Sequence, residues 1–202
     1  VNHLKAWEFN HLTLILDRGM ISKGNVEFIV KSGFELVGLV PESNKEVWDY
    51  ITRWSSEELQ RPRYVVQRPS GAQVYVRAWR APLLGSKHLR VALVLDPMRA
   101  ARERVGRDGL IHAVETTTHP KRLRELREDL GGLAIPAPGR RGFTVDNASA
   151  ARERLGDGRF LMFSTDQALE ADEMFRIYFQ RDEIEKAFQT LKGQLSLGPI
   201  RY

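Results

Sequence analysis

The sequence predicts an α/β protein whose two ends form one core and whose middle is rich in β-strands. Three observations support this fold class. A strand–helix–strand pattern occupies the first 40 residues, strands with partial apolar alternation follow, and a strand with a long helix closes the chain. Strand–helix–strand units of this length form parallel strand pairs, so the core is expected to contain an α/β sheet.

The first strand is "LTLILD", residues 12–17, a nearly continuous apolar run of the kind that is buried on both faces of a sheet. It ends at Asp17. Ser22 can cap a helix that Gly33 ends, because serine accepts from free backbone N–H groups and glycine adopts left-handed backbone angles. "FELVGLV", residues 34–40, is predicted to be the parallel partner strand.

The middle of the chain differs in pattern. Turns rich in Pro, Gly and Ser separate apolar runs that we interpret as antiparallel strands. Two arginine-rich helices and a loop follow. The predicted strands are 63–68, 72–79 and 89–96, the helices about 97–117 and 120–130, and the loop 131–142. We therefore divide the chain into core residues 1–40, a β-rich insertion with basic helices over 41–156, and a return to the core over 157–202.

The last segment restores the α/β pattern. "GRFLMFS", residues 158–164, is predicted to be a strand, and a helix is expected from about 170 to 192, ended by Gly193.

Composition limits the classes of function. Cysteine is absent, which excludes thiolate zinc sites, and the five histidines show no metal-ligand spacing. The net charge of +5 and the pI of about 9.6 favour a polyanionic partner such as nucleic acid, although glutamates between the arginines also fit a solvated mixed-sign surface. No apolar run reaches the length of a membrane span.

Four polar residues of the last helix share one side. On a helix of 3.6 residues per turn, Tyr178, Arg181, Glu185 and Lys192 fall within about 60° of each other, beside the apolar stripe. Charges at the edge of a buried face lose part of their hydration. This loss costs free energy unless a metal ion or a phosphate compensates the charges. The alternative is a simple Arg–Glu pair at i, i+4 with solvated ends.

These residues carry a resemblance to a known family. The pattern Tyr178-x2-Arg181-x3-Glu185-x6-Lys192 resembles the Tyr-Arg-Glu-Lys signature of bacterial and archaeal insertion-sequence DDE transposases. "LILDRGMIS", residues 14–22, is similar to the segment around the second catalytic aspartate of that family. "DGRFLMFSTD", residues 157–166, resembles the strand that leads to its glutamate helix.

The resemblance implies a ribonuclease-H-like catalytic core interrupted by a largely β insertion. Asp17 and Glu185 would be catalytic residues and metal ligands in a two-metal site for Mg²⁺ or Mn²⁺. Tyr178, Arg181 and Lys192 would bind DNA phosphates. The implied reaction is metal-dependent phosphodiester cleavage and strand transfer at transposon ends.

One feature departs from the family pattern. The family's first catalytic aspartate lies on a strand well before the second, and Glu8 is the one acid before Asp17. We therefore expect an incomplete core, a catalytic-domain fragment that is inactive alone. The implied partner is transposon-end double-stranded DNA, bound by a homodimer. The implied location is the cytoplasm, in association with the nucleoid, and no membrane partner is expected.

Members of this family flip a base at the transposon end and stack it on an aromatic ring. Trp48, Trp54 and Trp79 are candidates, although a core position is the stronger expectation for each. His119 and Arg122 on the basic helix are possible DNA contacts, for which a solvated helix face is the stronger expectation.

Two other functions stay open. The chain can be a non-catalytic DNA-binding or assembly protein derived from a transposase, or a ribonuclease-H-like nuclease that cleaves without strand transfer. An upstream coding sequence with a strand that ends in aspartate would favour the enzyme over the binding protein. Strand-transfer products would separate the transposase from the nuclease.

Overall fold

A computed structural model describes residues 12–41, 46–68, 70–137 and 142–194, without the side chains of 182–189 and 191–194. The predicted strand–helix–strand unit is confirmed: β1 (Thr13–Leu16), α1 (Lys23–Lys31) and β2 (Glu35–Leu39) follow each other. β1 and β2 pair in parallel.

The local signals that delimit α1 act as the sequence predicts. Ser22 is the N-cap, and its hydroxyl accepts a hydrogen bond of 3.2 Å from the backbone N–H of Asn25. Gly33 follows the helix with a φ of +79°, a conformation that glycine adopts without a steric penalty. The turn brings β2 back beside β1.

Three strands of the middle segment join the same sheet as the strands of the chain ends: β3 (Val65–Gln67), β4 (Gln73–Leu83) and β5 (Ser86–Leu95). The last strand of this sheet is β8 (Arg159–Ser164), from the final segment of the chain. The sheet has the order β1-β2-β8-β5-β4-β3, and every pair except β1–β2 is antiparallel. β8 therefore links the parallel unit to the antiparallel strands, while the proposed boundaries at 40 and 156 stay a prediction.

The helices are placed around this sheet. The two arginine-rich helices are confirmed as α4 and α5, whereas a short hairpin, a further helix and two helices before β3 were not predicted. The bounds are α2 Val47–Ile51, α3 Ser56–Leu59, α4 Pro97–Thr116, α5 Pro120–Leu130, β6 Ala134–Pro136, β7 Phe143–Val145, α6 Asn147–Arg154 and α7 Ala171–Gln194. The predicted loop 131–142 thus contains β6 within its described part.

Apolar side chains form one core on each face of the sheet. One face packs against α1, α2 and α3 and includes the fully buried Phe163. The opposite face packs against α7, where Met174 and Phe175 cover Met162 of β8. A third, smaller cluster joins α4, α5, α6 and the β6–β7 hairpin. The sheet therefore separates α7 from α1–α3.

Helix α7 does not end before Gly193 as the sequence indicates. It continues to Gln194. A glycine inside a helix costs only about 1 kcal/mol relative to alanine, which neighbouring helical hydrogen bonds can offset. The structure is thus a mixed α/β fold with a mixed sheet, as predicted at the level of fold class. None of the described helices is both long enough and apolar enough to span a membrane.

Gly158 is expected to tolerate no side chain. Its φ is +68°, and a Cβ there would lie 2.4 Å from the carbonyl oxygen of Asp96. We expect Gly158→Ala to lower the free energy of unfolding by roughly 3 kcal/mol, from left-handed strain plus overpacking. Gly71, with a φ of +80° and nothing within 4 Å of a built Cβ, is the matched control. Urea unfolding of both alanine variants measures the difference, and equal losses would contradict the predicted clash.

Candidate functional site

Asp17 lies at the carboxyl end of β1, where the chain leaves the sheet. Its backbone is extended, and a single 3-10 turn, Arg18–Met20, follows it directly. The carboxylate does not cap this turn, so it is directed to other groups. The side chain is 64% exposed, which leaves its oxygens accessible to a ligand from solvent.

Arg181 of α7 meets Asp17 at this edge of the sheet. One guanidinium nitrogen of Arg181 donates a hydrogen bond to a carboxylate oxygen of Asp17, and the two residues are 164 positions apart in sequence. Helix α7 packs against β1, β2, β4 and β8, which fixes the arginine beside the strand end. Two of the residues that the sequence singles out are therefore in contact.

Tyr178 lies deeper than the sequence suggests. Only 4% of the residue is exposed, and its ring packs edge-on against Phe179 with centroids 5.3 Å apart. Burial raises the pKa of the Tyr178 phenol, while the positive charge of Arg181 acts in the opposite direction. The guanidinium of Arg181 lies 5.2 Å from the centre of the ring. In this conformation Tyr178 supports Arg181 from the core side, and its contact with DNA stays a prediction.

Glu185 and Lys192 continue the same helix, but their side chains lie outside the described residues. Glu185 follows Arg181 by one helical turn, a rise of about 6 Å along the axis. Its backbone therefore lies one turn beyond the residue that contacts Asp17. Lys192 lies about two turns further along α7. Their roles as metal ligand and phosphate contact stay predictions.

A divalent cation is chemically compatible with Asp17. Carboxylate oxygens are the ligands that Mg²⁺ and Mn²⁺ prefer, and this carboxylate faces solvent. Within the part of the chain whose side chains are described, no group of three acidic or histidine residues could hold a metal ion. Asp17 also pairs with Arg181 here, so a cation would compete with the guanidinium for the same oxygens.

The three candidate tryptophans, Trp48, Trp54 and Trp79, do not line the edge where Asp17 and Arg181 meet. The Trp54 and Trp79 rings meet edge to face with centroids 4.7 Å apart, and both pack against the core on the α1–α3 side of the sheet. Trp48 lies beneath the Arg152 guanidinium at 5.5 Å. His119 is the N-cap residue of α5, and Arg122 forms an exposed ion pair with Glu125.

Sequence reasoning missed a buried ionic cluster at the start of β8. Asp157 is 6% exposed and accepts two hydrogen bonds, of 2.8 and 2.6 Å, from Arg107 of α4. Arg159 is 8% exposed and donates to the carbonyl oxygens of Ile51 and Trp54, both at 2.7 Å. The signal in the sequence is the placement of Asp157 and Arg159 directly against an apolar strand.

This cluster lines a cavity of about 650 Å³ between α2, α4, α5 and α6. Its charges are largely matched inside the protein: Arg99 pairs with Glu103 at 2.5 Å, and Glu103 also accepts from the backbone N–H of Gly158 at 2.7 Å. Burial of the Arg159 guanidinium lowers its pKa. The cluster therefore joins α4 to the sheet and has the character of a structural element.

Comparisons of the chain with protein-family models, with curated proteins and with solved structures find no match. The function therefore has to be inferred from the residues and their geometry.

Proposed function

We propose that this chain is the catalytic-domain part of a DDE transposase that cleaves and joins transposon-end DNA with divalent metal ions. The observation that carries the proposal is the contact between Asp17 and Arg181. It brings the end of β1 to the helix that carries Glu185, across most of the chain. The mixed sheet with α7 against one face is compatible with the ribonuclease-H-like core that the resemblance implies.

Asp17 and Glu185 would hold the metal ions in this proposal. Bound Mg²⁺ or Mn²⁺ would supply Lewis-acid stabilisation of the charge that develops on phosphate oxygens during in-line displacement. Both side chains bring hard oxygen donors, and Asp17 is exposed enough to reach a ligand. A further carboxylate is needed beside them, since two acids alone leave most of each coordination shell to water.

Arg181 and Lys192 would position the DNA. A guanidinium can bind two phosphate oxygens at once, whereas an ammonium acts as a point charge. In the described conformation the Arg181 guanidinium is bound to Asp17. A cation at Asp17 would weaken that ion pair, and the released guanidinium would be directed to the phosphate backbone at the same edge. Metal binding and DNA positioning are thereby coupled through one ion pair.

The test is an assay of the protein that carries this sequence, at its full natural length, on labelled transposon-end DNA. We expect metal-dependent cleavage and strand-transfer products from the unaltered protein and neither product from Glu185→Gln. Glutamine keeps the size of the side chain and removes its charge, so a loss of activity is assigned to metal binding. The variant should bind the same DNA with unchanged affinity in EDTA.

The outcomes separate the alternative functions. Cleavage without strand transfer would indicate a ribonuclease-H-like nuclease, and DNA binding without cleavage would indicate a non-catalytic assembly protein. Equal cleavage by the unaltered protein and Glu185→Gln would show that Glu185 of α7 does not take part in the active site. Gel-filtration of the DNA complex would show whether the predicted homodimer forms.

A further inference from the structure

Six residues form a layered surface of guanidinium groups and aromatic rings, which we call the arginine–aromatic surface. The Trp54 ring is flanked by Arg77 at 4.0 Å and Arg53 at 5.1 Å, measured from each guanidinium carbon to the ring centre. Arg77 also lies 5.3 Å from the Tyr64 ring, and Arg63 lies 4.8 Å from that ring. Trp79 completes the set, 5.9 Å from Arg53.

The arginine–aromatic surface lies on the opposite face of the sheet from α7. In β4, Val74 and Val76 belong to the core that α7 covers, whereas Trp79 belongs to the core on the other face. Side chains alternate along a strand, so Arg77 shares the face of Trp79. The surface is therefore separate from the edge where Asp17 and Arg181 meet.

The arginines of this surface differ from Arg107, Arg122 and Arg154, which are paired with carboxylates. Within the described residues, Arg53, Arg63 and Arg77 make cation–π contacts and no ion pair, and the nearby Glu58 is engaged in the capping box of α3. Stacking on a ring orients a guanidinium without neutralising its charge. Three cations are thus held in place with their N–H donors available.

We propose that the arginine–aromatic surface binds the phosphate backbone of double-stranded DNA, away from the catalytic edge. This inference rests on the proposed function for its choice of partner. Oriented guanidinium groups match phosphate geometry, and their binding releases condensed counterions. The rings are already packed against arginines and against each other, Trp54 on Trp79 at 4.7 Å. Bases therefore have no free ring to stack on, which favours a duplex backbone over single strands.

The experiment compares Arg53→Gln/Arg77→Gln with a charge-matched control, Lys31→Gln/Arg154→Gln. Both control residues are exposed and paired with acids, Lys31 with Glu27 at 3.9 Å and Arg154 with Asp108 at 2.8 Å. Affinity for a fluorescein-labelled duplex is measured by anisotropy in EDTA at several salt concentrations. The surface variant should bind roughly 10- to 100-fold more weakly at 0.1 M salt, and its salt slope should fall by about 1 for each lost phosphate contact.

The control pair should keep both affinity and slope within about twofold of the unaltered protein, since its cations lie beside carboxylates and outside the arginine–aromatic surface. Equal losses in the two variants, or none in the surface variant, would overturn the proposal while leaving the proposed function intact. Absence of duplex binding by the unaltered protein would overturn this proposal and also count against the proposed function. A surface variant that loses affinity for single-stranded DNA alone would also overturn the proposal that this surface binds duplex DNA. If the double variant does not fold, Arg63→Gln, on the exposed rim, gives the same readout.

Discussion

Replacing Asp17 by asparagine in the full-length protein is expected to lower the rate of DNA cleavage by roughly 10³-fold, which corresponds to about 4 kcal/mol of transition-state stabilisation. The amide keeps the shape of the side chain but removes the charge that would hold a metal ion. The melting temperature should change by only about 2–4 °C, because the ion pair with Arg181 is partly exposed and such pairs contribute up to about 1 kcal/mol.

The two measurements together distinguish a catalytic role from a structural one. Asp108→Asn is the matched control, since Asp108 is 46% exposed and also pairs with an arginine, Arg154. It should leave the cleavage rate unchanged and lower the melting temperature by no more than about 2–4 °C, as expected for a partly exposed ion pair. An Asp17→Asn protein that cleaves at the normal rate would remove Asp17 from the active site. A protein that loses cleavage only because it unfolds would show a large fall in melting temperature.

Asp157→Ala is expected to lower the free energy of unfolding by about 3–5 kcal/mol. Asp157 is 6% exposed and holds both terminal nitrogens of Arg107. Hydrogen bonding to Asp157 is the main cause of a raised pKa at Arg107. An arginine guanidinium is not deprotonated in proteins, so Arg107 stays charged when Asp157 is removed. Since only 10% of the Arg107 side chain is exposed, water cannot replace the carboxylate well. The melting temperature should fall by roughly 10 °C.

Two further variants test the cause of that loss. Asp108→Ala breaks an ion pair whose side chains are 46% and 49% exposed, so it should cost less than about 1 kcal/mol. Asp157→Ala/Arg107→Met removes both charges and should be more stable than Asp157→Ala alone, since no buried charge is left unpaired. Urea unfolding followed by circular dichroism measures all three. A double variant as unstable as the single one would indicate lost packing instead of an unpaired charge.

Local features of the fold could be predicted from sequence. Ser22 and Gly33 delimit α1 through interactions within a few residues, and the apolar run that ends at Asp17 is a strand as expected. The prediction that this strand is buried on both faces was wrong, because β1 lies at the edge of the sheet and its residues are exposed or half-buried. The position of β8 could not be predicted in this way. It pairs with β2 and with β5, and strand order depends on contacts that are distant in sequence.

The candidate site was predictable only where local helical periodicity determines it. Helical periodicity places Arg181 on the side of α7 that meets β1, and the structure brings it to Asp17. Periodicity cannot tell an edge position from a buried one for an amphipathic ring, so Tyr178 lies deeper than expected. The residues of the arginine–aromatic surface come from three places: the segment between α2 and α3, the turn before β3, and strand β4. No local sequence pattern links these places.

The central place of β8 in the sheet has a consequence for synthesis of the chain. Val37 pairs with Ser164, and Arg90 pairs with the same serine from the other side. The parallel unit and the antiparallel strands therefore cannot form one continuous sheet until β8 has been synthesised. Since β8 spans Arg159–Ser164, this occurs late in synthesis of the described chain. The helix that carries Arg181 follows β8 in the chain, so the contact between Arg181 and Asp17 cannot form until the α4–α6 region has been synthesised.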